Sequence, residues 1–364
     1  MHKQIPEANE IEISLLGGGG GTGECIVAHV GNNEWIVIDS FLSKKSRQPA
    51  SLEYLSRMGI SATAIKLVVA SHWHNDHVKG ISNLILEATE AKFAISSALK
   101  SDEFGALLEI DQNTHTRQKS ISELRSALQV IRERGTPVTT ASQDKDIWCS
   151  NDEVCRIQAL SPSDLAEELA RKEIAQIVKG FNTANRKVLD INPNHNSVVV
   201  RIKAGDKDIL LGSDLEETGE AGIGWSAILT AINRPRQSAS TFKVAHHGSE
   251  TSYTPKVWKK LLVPNPVALI TPFKGGQTKL PTLEYSNRIL AHTPHAYITS
   301  DPNIKFKPKK RDNKVEKTIK QLGYSPVELS YPDGHIRLRS KSDEEGWRIE
   351  LFGSAVALKD CQWS

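Results

Sequence analysis

Residues 71–80, SHWHNDHVKG, place His72, His74, Asp76 and His77 within six positions of a chain that holds 12 histidines in all. Neutral imidazole nitrogens and carboxylate oxygens are suitable ligands for zinc, manganese or iron. In extended chain, residues two apart point the same way, so His72 and His74 can converge on one ion. If the chain then turns, Asp76 and His77 face a second position nearby. A polar surface loop can carry such residues by chance. Here they follow the apolar run AIKLVVA, which reads as a buried strand delivering them at its C-terminal end.

The elements that must position this cluster are legible around it. IEISLL and CIVAHV read as strands flanking GGGGGTG, and WIVID is a strand that ends at Asp39. The glycine run lacks the Lys-Ser/Thr of a phosphate loop and no helix pattern follows it, so a hairpin turn with close backbone approach is expected. SLEYLSRMG reads as a short helix closed by Gly59. KFAIS is a further strand. SISELRSALQVIRERG puts Ile121, Leu124, Leu128 and Ile131 on one helical face, with Gly135 as the stop. VCRIQALSPSD reads as a strand running into a helix, with Ser161 as N-cap and Pro162 at the first helical position. SVVVRI, DILLGSD, FKVAHH, VALITP and HAYITS are strand-like, each ending near a polar residue. Strands, then helices, then more strands imply two packed sheets with helices outside.

Composition narrows the class. The chain has 364 residues, 38% of them hydrophobic and 24% charged, enough to bury a core without disulfide staples. A net charge of +3 is too weak to imply a nucleic-acid partner by itself. Cys25, Cys149, Cys155 and Cys361 have no CxxC spacing and fit reduced thiols. MHKQIPEANE has no apolar core for a signal peptide, and no apolar run is long enough to cross a membrane. A cytoplasmic protein is expected.

AIKLVVASHWHNDHVKG resembles the H-x-H-x-D-H signature of the metallo-beta-lactamase superfamily. The resemblance implies an α/β (α+β) fold, a four-layer αββα sandwich, over a single domain 1–364. A helical insertion at 162–190 and a basic insertion at 302–330, before the last strands, are expected as additions to that fold. Further ligands of this family stand at later strand ends. Asp214, closing ILLGSD, matches the carboxylate that bridges two metals; taken alone it would be a turn aspartate. FKVAHHGS supplies one more ligand, with His246 preferred as the nearer to the strand and His247 left to meet substrate. His195 in NPNHNSVVV stands where the family puts another histidine, with Asn194 or Asn196 as holders of a water in its stead. Asp39 supports the metal loop without touching metal. The implied cofactor is two divalent ions, Zn2+ or Mn2+, which would make hydroxide available near neutral pH. In that scheme Asp76 binds metal and orients the nucleophile. His247 then donates a proton to the leaving group, and Ser249 and Asn196 position substrate.

The order GTGECIVAHVGNNEWIVIDSF, SHWHNDHVKGI, NHNSVVVRI, ILLGSD and KVAHHGS is similar to the hydrolase part of the bacterial DNA-uptake channel protein. Leu280 and Pro281 depart from that branch, which often has His-Pro there, and channel segments are absent. The branch implies a nuclease or phosphodiesterase. IKFKPKKRDNKVEKTIKQLG adds a basic stripe in which Lys309, Lys310 and Arg311 would follow a phosphate backbone and Phe306 would stack on a base. A solvated helix and loop explains the same charge run. The alternatives are a small-molecule hydrolase acting on a lactam, lactone, thioester or cyclic nucleotide, and a partner-dependent effector. A protein partner or homodimer would use the helices near 118–134 and 162–181.

Overall fold

The computed structural model describes residues 4–114, 119–182, 192–234, 237–303, 312–322, 332–341 and 344–363. Lys309, Lys310, Arg311 and Phe306, and the end of the expected helical insertion, lie outside them.

Among the described residues, two sheets of eight strands form the middle of the molecule. The first contains β1 (Glu10–Gly17), β2 (Glu24–His29), β3 (Trp35–Ile38), β4 (Ile65–Ala70), β5 (Lys92–Ser96) and β6 (Thr139–Ala141). The second contains β7 (Lys145–Cys149), β8 (Cys155–Ala159), β9 (Val200–Ala204), β10 (Lys207–Leu211), β11 (Ala239–Lys243), β12 (Leu262–Ile270) and β13 (Ala296–Ile298). β14 (Gly334–Lys341) and β15 (Arg348–Gly353) complete the first sheet beside β1, and β16 (Val356–Ala357) completes the second beside β13. Each sheet changes from antiparallel to parallel pairing partway across: β3 to β6 run parallel in the first, β10 to β13 in the second.

Side-chain alternation sorts the residues between three apolar layers. On β4, Leu67 and Val69 enter the core between the sheets, and Val68 and Ala70 enter the core under the helices on the other face. The outer helices Ala50–Met58, Ile81–Glu87 and Lys119–Arg134 cover the first sheet. Helices Gly224–Thr230, Pro255–Lys260 and Leu283–His292 cover the second. This helix–sheet–sheet–helix arrangement is the metallo-beta-lactamase fold. The helix Ala50–Met58 stops at Gly59, which takes the left-handed conformation at φ 77°. The helix after β8 runs Asp164–Asn182, later than expected. Ser163 caps it by accepting from the Ala166 N–H, while Ser161 donates to the Ser197 C=O and accepts from the Val199 N–H. All four cysteines are free. Among the described residues no helix is long and apolar enough to cross a membrane.

One polar network lies where the outer face of β1 meets β14. Arg339 is paired with Glu12 at 2.7 Å with both side chains fully buried, and the Tyr54 hydroxyl also donates to Glu12. His335 Nε2 lies 2.9 Å from Ser14 Oγ, and burial, with Arg337 and Arg339 adding repulsion, pushes its pKa down to about 3. Its unfolded value is near 6.5, so the folded state resists the proton that the unfolded chain accepts. Stability is therefore full above pH 6.5 and falls as pH drops toward 3. A loss of about 2 kcal/mol is expected between pH 7 and pH 5 from this group alone. Urea unfolding at both pH values checks it: the loss should shrink in His335→Gln, and an equal loss in that variant would assign it elsewhere.

Candidate metal centre

The chemistry-bearing residues sit beyond the C-terminal ends of parallel strands, the place where sheets of this kind expose backbone and side chains to a ligand. β4 leads to His72, β3 to Asp39, β10 to Asp214, and β11 to His246 and His247. After β4, His72 and His74 turn one way while Trp73 turns into the outer core and stacks on Phe104 at 5.8 Å. The chain then forms a short helix, Asn75–Val78, which carries Asp76 and His77. Asp39, Ser213, His246 and His247 all have positive φ, between 46° and 63°. Such conformations cost on the order of 1–3 kcal/mol each and persist where the surroundings fix them, as at a functional site.

Among the described residues, three groups bring ligand atoms within 4.8 Å of one another: His72 with His74 and Asp214, Asp76 with His77 and His247, and Glu24 with His77 and Asp214. Asp214 Oδ2 stands between them, 3.8 Å from His72 Nε2, 3.4 Å from His77 Nε2 and 3.5 Å from His247 Nε2. Asp76 Oδ2 is 3.3 Å from His247 Nε2 and 3.7 Å from His77 Nε2.

The outer atoms of these rings are held in place. His77 Nδ1 is 2.7 Å from Asp39 Oδ2, and Asp39 also accepts from the Ser71 N–H and hydroxyl. His247 Nδ1 donates to the Thr271 C=O at 3.1 Å. A proton fixed on Nδ1 leaves the Nε2 lone pair of each ring aimed at the centre. His77 Nε2, His247 Nε2 and Asp214 Oδ1 are buried and have no hydrogen-bond partner. Buried polar atoms without partners are rare and costly.

Charge points the same way. The carboxylates of Glu24, Asp39, Asp76 and Asp214 stand among these rings, and the Lys243 ammonium lies 2.5 Å from Glu24 and 3.8 Å from Asp214. Burial opposes the charged form of His77 and His247, yet neighbouring carboxylates overcome it, Asp214 first. His77 is raised well above its ordinary range and His247 is pushed up to about 9. Burial holds His72 and His74 below theirs, so these two stay neutral with lone pairs available. The His77 and His247 sites thus attract protons where cations fit. The donor set, the orphaned atoms and the net negative charge all suit divalent ions.

The two histidines of HHGS take the opposite positions from those expected. His247 faces the centre and stacks on Phe273, with ring centroids 5.2 Å apart. His246 turns to Glu216, with Nδ1 3.0 Å from Oε1, and its Nε2 receives a hydrogen bond from Asn194 Nδ2. Consecutive left-handed residues rotate neighbouring side chains apart, so nearness to the strand end does not decide which converges.

His195, expected as a ligand, also turns away. It lies on the turn Pro193–Asn196, where buried Asn194 and Asn196 take the inward positions. Its Nε2 lies 3.2 Å from Glu216 Oε2 and its side chain is 36% exposed. Asn196 is buried and its Oδ1 lacks a partner. Ser249 is buried too, and its Oγ accepts from the Thr251 N–H.

Three residues escaped the sequence reading. Glu24 and Lys243 form a buried ion pair at 2.5 Å, and Lys243 also donates to the Ser213 C=O. A lysine inside the apolar strand TFKVA was the available signal. Glu216 accepts from Asn192 and Thr251 as well as facing His195 and His246, and only its place two residues after Asp214 marked it.

Residues 18–114, which include the first histidine cluster, match the model of the metallo-beta-lactamase superfamily. No curated protein matches the chain. Several solved structures are similar to it. The metallo-beta-lactamase fold protein YhfI from Bacillus subtilis is 13% identical, with 64% of this chain and 70% of that chain covered and a TM-score of 0.34. A metallo-beta-lactamase from Cronobacter sakazakii, solved as a HARLDQ motif mutant, is 15% identical over 65% and 77%, with a TM-score of 0.36. The short form of human tRNase Z is 11% identical over 64% and 76%, with a TM-score of 0.33.

Proposed function

We propose that this chain is a metal-dependent hydrolase that cleaves phosphodiesters, with two divalent ions of the zinc or manganese type. The observation that carries the reading is the convergence of His77 Nε2 and His247 Nε2, both buried and without a hydrogen-bond partner, on Asp214 Oδ2 at 3.4 and 3.5 Å. His72, His74 and Asp214 would hold one ion, and Asp76, His77 and His247 the other, with Asp214 shared. Such ions lower the pKa of water and offset charge on an attacked phosphate.

The chain's own groups supply the rest. Asp39 holds the proton on His77 Nδ1 and Thr271 holds that on His247 Nδ1, so neither ring can turn its lone pair away. Asp76 is the most open of these carboxylates, at 15% side-chain exposure. Burial disfavours its charge, but His77 and His247 keep it ionised. It is placed to orient an attacking water through a carboxylate oxygen. His247 lies too deep among the ligands to serve as acid. His195 is not placed for that role either, because its Nε2 faces Glu216, whose hydrogen bond outweighs burial and raises its pKa. Two features favour a phosphodiester over other esters: the motif order shared with the DNA-uptake hydrolase, and the exposed Lys314 and Lys317 on the helix Asn313–Gln321.

The test is hydrolysis of single-stranded and double-stranded DNA, RNA and bis(p-nitrophenyl) phosphate with zinc or manganese, beside a chelator and Asp76→Ala. Metal-dependent cleavage lost in a folded Asp76→Ala protein is expected. Full activity in that variant would overturn the site. Hydrolysis of a lactone or thioester, with no phosphodiester cleaved, would move the substrate to small molecules.

A further inference from the structure

Two loops meet beside the centre and bring three lysines together. The glycine loop after β1 packs against the start of segment 272–281. Gly21 has φ 74°, and a Cβ added there would come within 2.6 Å of the Pro272 C=O. The Lys44 ammonium donates to the Gly19 C=O at 2.8 Å, and the Gly19 N–H donates to Asp333 Oδ1. The next residue after Pro272, Phe273, stacks on His247, so this wall touches the metal centre. The segment then folds back on itself. Phe273 and Leu280 exchange both backbone hydrogen bonds, at 3.0 and 2.8 Å. That pairing returns Lys279 to the side of Lys274, whose ammonium donates to the Asp301 C=O. Lys44 and Lys279 are exposed and Lys274 is half-buried. Burial, then Lys279 and Lys44, lower the Lys274 pKa against the pull of Asp301. The nearby carboxylates are engaged: Asp301 accepts the Asn303 and Gln362 N–H groups, and Asp333 that of Gly19.

We propose that Lys44, Lys274 and Lys279 form a phosphate-binding rim that takes the phosphate next to the one hydrolysed in an oligonucleotide. This rests on the phosphodiesterase reading and extends it to a substrate with more than one phosphate. Ammonium groups that repel one another across an open rim gain most from a shared anion.

The test is fluorescence anisotropy of a labelled oligothymidylate on the metal-free full chain across a salt series. The triple variant Lys44→Gln, Lys274→Gln, Lys279→Gln is compared with wild type and with the triple Lys→Arg variant. Thermal unfolding confirms that each is folded. The glutamine variant is expected to bind about tenfold more weakly, with a salt slope shallower by about 0.7 for each phosphate it no longer neutralises. The arginine variant should retain binding. Equal affinity and slope in wild type and the glutamine variant would overturn the rim alone. Wild type that cleaves the small diester but does not bind the oligonucleotide would also overturn the rim and leave the phosphodiesterase reading standing. Wild type that does neither would remove both.

Discussion

Asp214→Asn is expected to leave a folded protein that no longer holds its ions. Asp214 Oδ2 is within 3.8 Å of three imidazole nitrogens, so both proposed ion positions depend on it. Asparagine preserves the shape but removes the charge that two cations need. Loss of outer-shell partners alone costs about 10–100-fold in metal affinity or activity, so a shared ligand should cost more. Elemental analysis after dialysis is the direct measurement. Two ions still bound per chain would defeat the assignment.

The same residue governs the pH dependence. In the metal-free protein His247 titrates at about 9, so at pH 7 it carries a proton. An ion must displace that proton and the one raised on His77, so apparent affinity should rise with pH through about 9. Calorimetry in buffers of different ionisation enthalpy counts the protons released. In Asp214→Asn the His247 value should fall, because its main supporting charge is gone. An NMR titration that finds His247 unmoved would refute the electrostatic account.

Lys243→Met is expected to cost stability outright. Lys243 is fully buried, and its ammonium is 2.5 Å from Glu24 and 3.8 Å from Asp214 Oδ1. Removing one member of a buried pair leaves the other charged and uncompensated, a loss of about 3–5 kcal/mol. Methionine fills similar volume, so the loss reflects charge more than packing. Glu24 would then face His247 Nδ1 at 3.8 Å in place of an ammonium at 2.5 Å. The double variant Glu24→Gln, Lys243→Met should recover part of the loss, because no lone charge is left buried. Urea unfolding of the metal-free proteins separates the cases. A Lys243→Met protein within about 1 kcal/mol of wild type would show that the pair does not stabilise the fold in this way.

Much of this molecule is decided locally and so is visible in the order of residues. The run AIKLVVASHWH states a buried strand and puts His72 and His74 on one side by alternation alone, with Trp73 on the other. Gly59 ends its helix because a left-handed residue is needed there, and the apolar spacing of Ile121, Leu124, Leu128 and Ile131 marks a buried helical face. Two sheets with helices outside follow from the succession of elements. Tertiary structure decided what alternation does not reach. His246 and His247 are adjacent, and only the paired left-handed conformations after β11 determine that His247 enters the centre and His246 turns to Glu216. His195 stands at a plausible spacing, but its turn presents it to Glu216, a residue from another strand end. Glu24 and Lys243 are far apart in the chain and meet only because β2 and β11 face each other from different sheets. Periodicity fixes which way a side chain leaves its own element; which charges then share a buried space depends on the packing of elements distant in sequence.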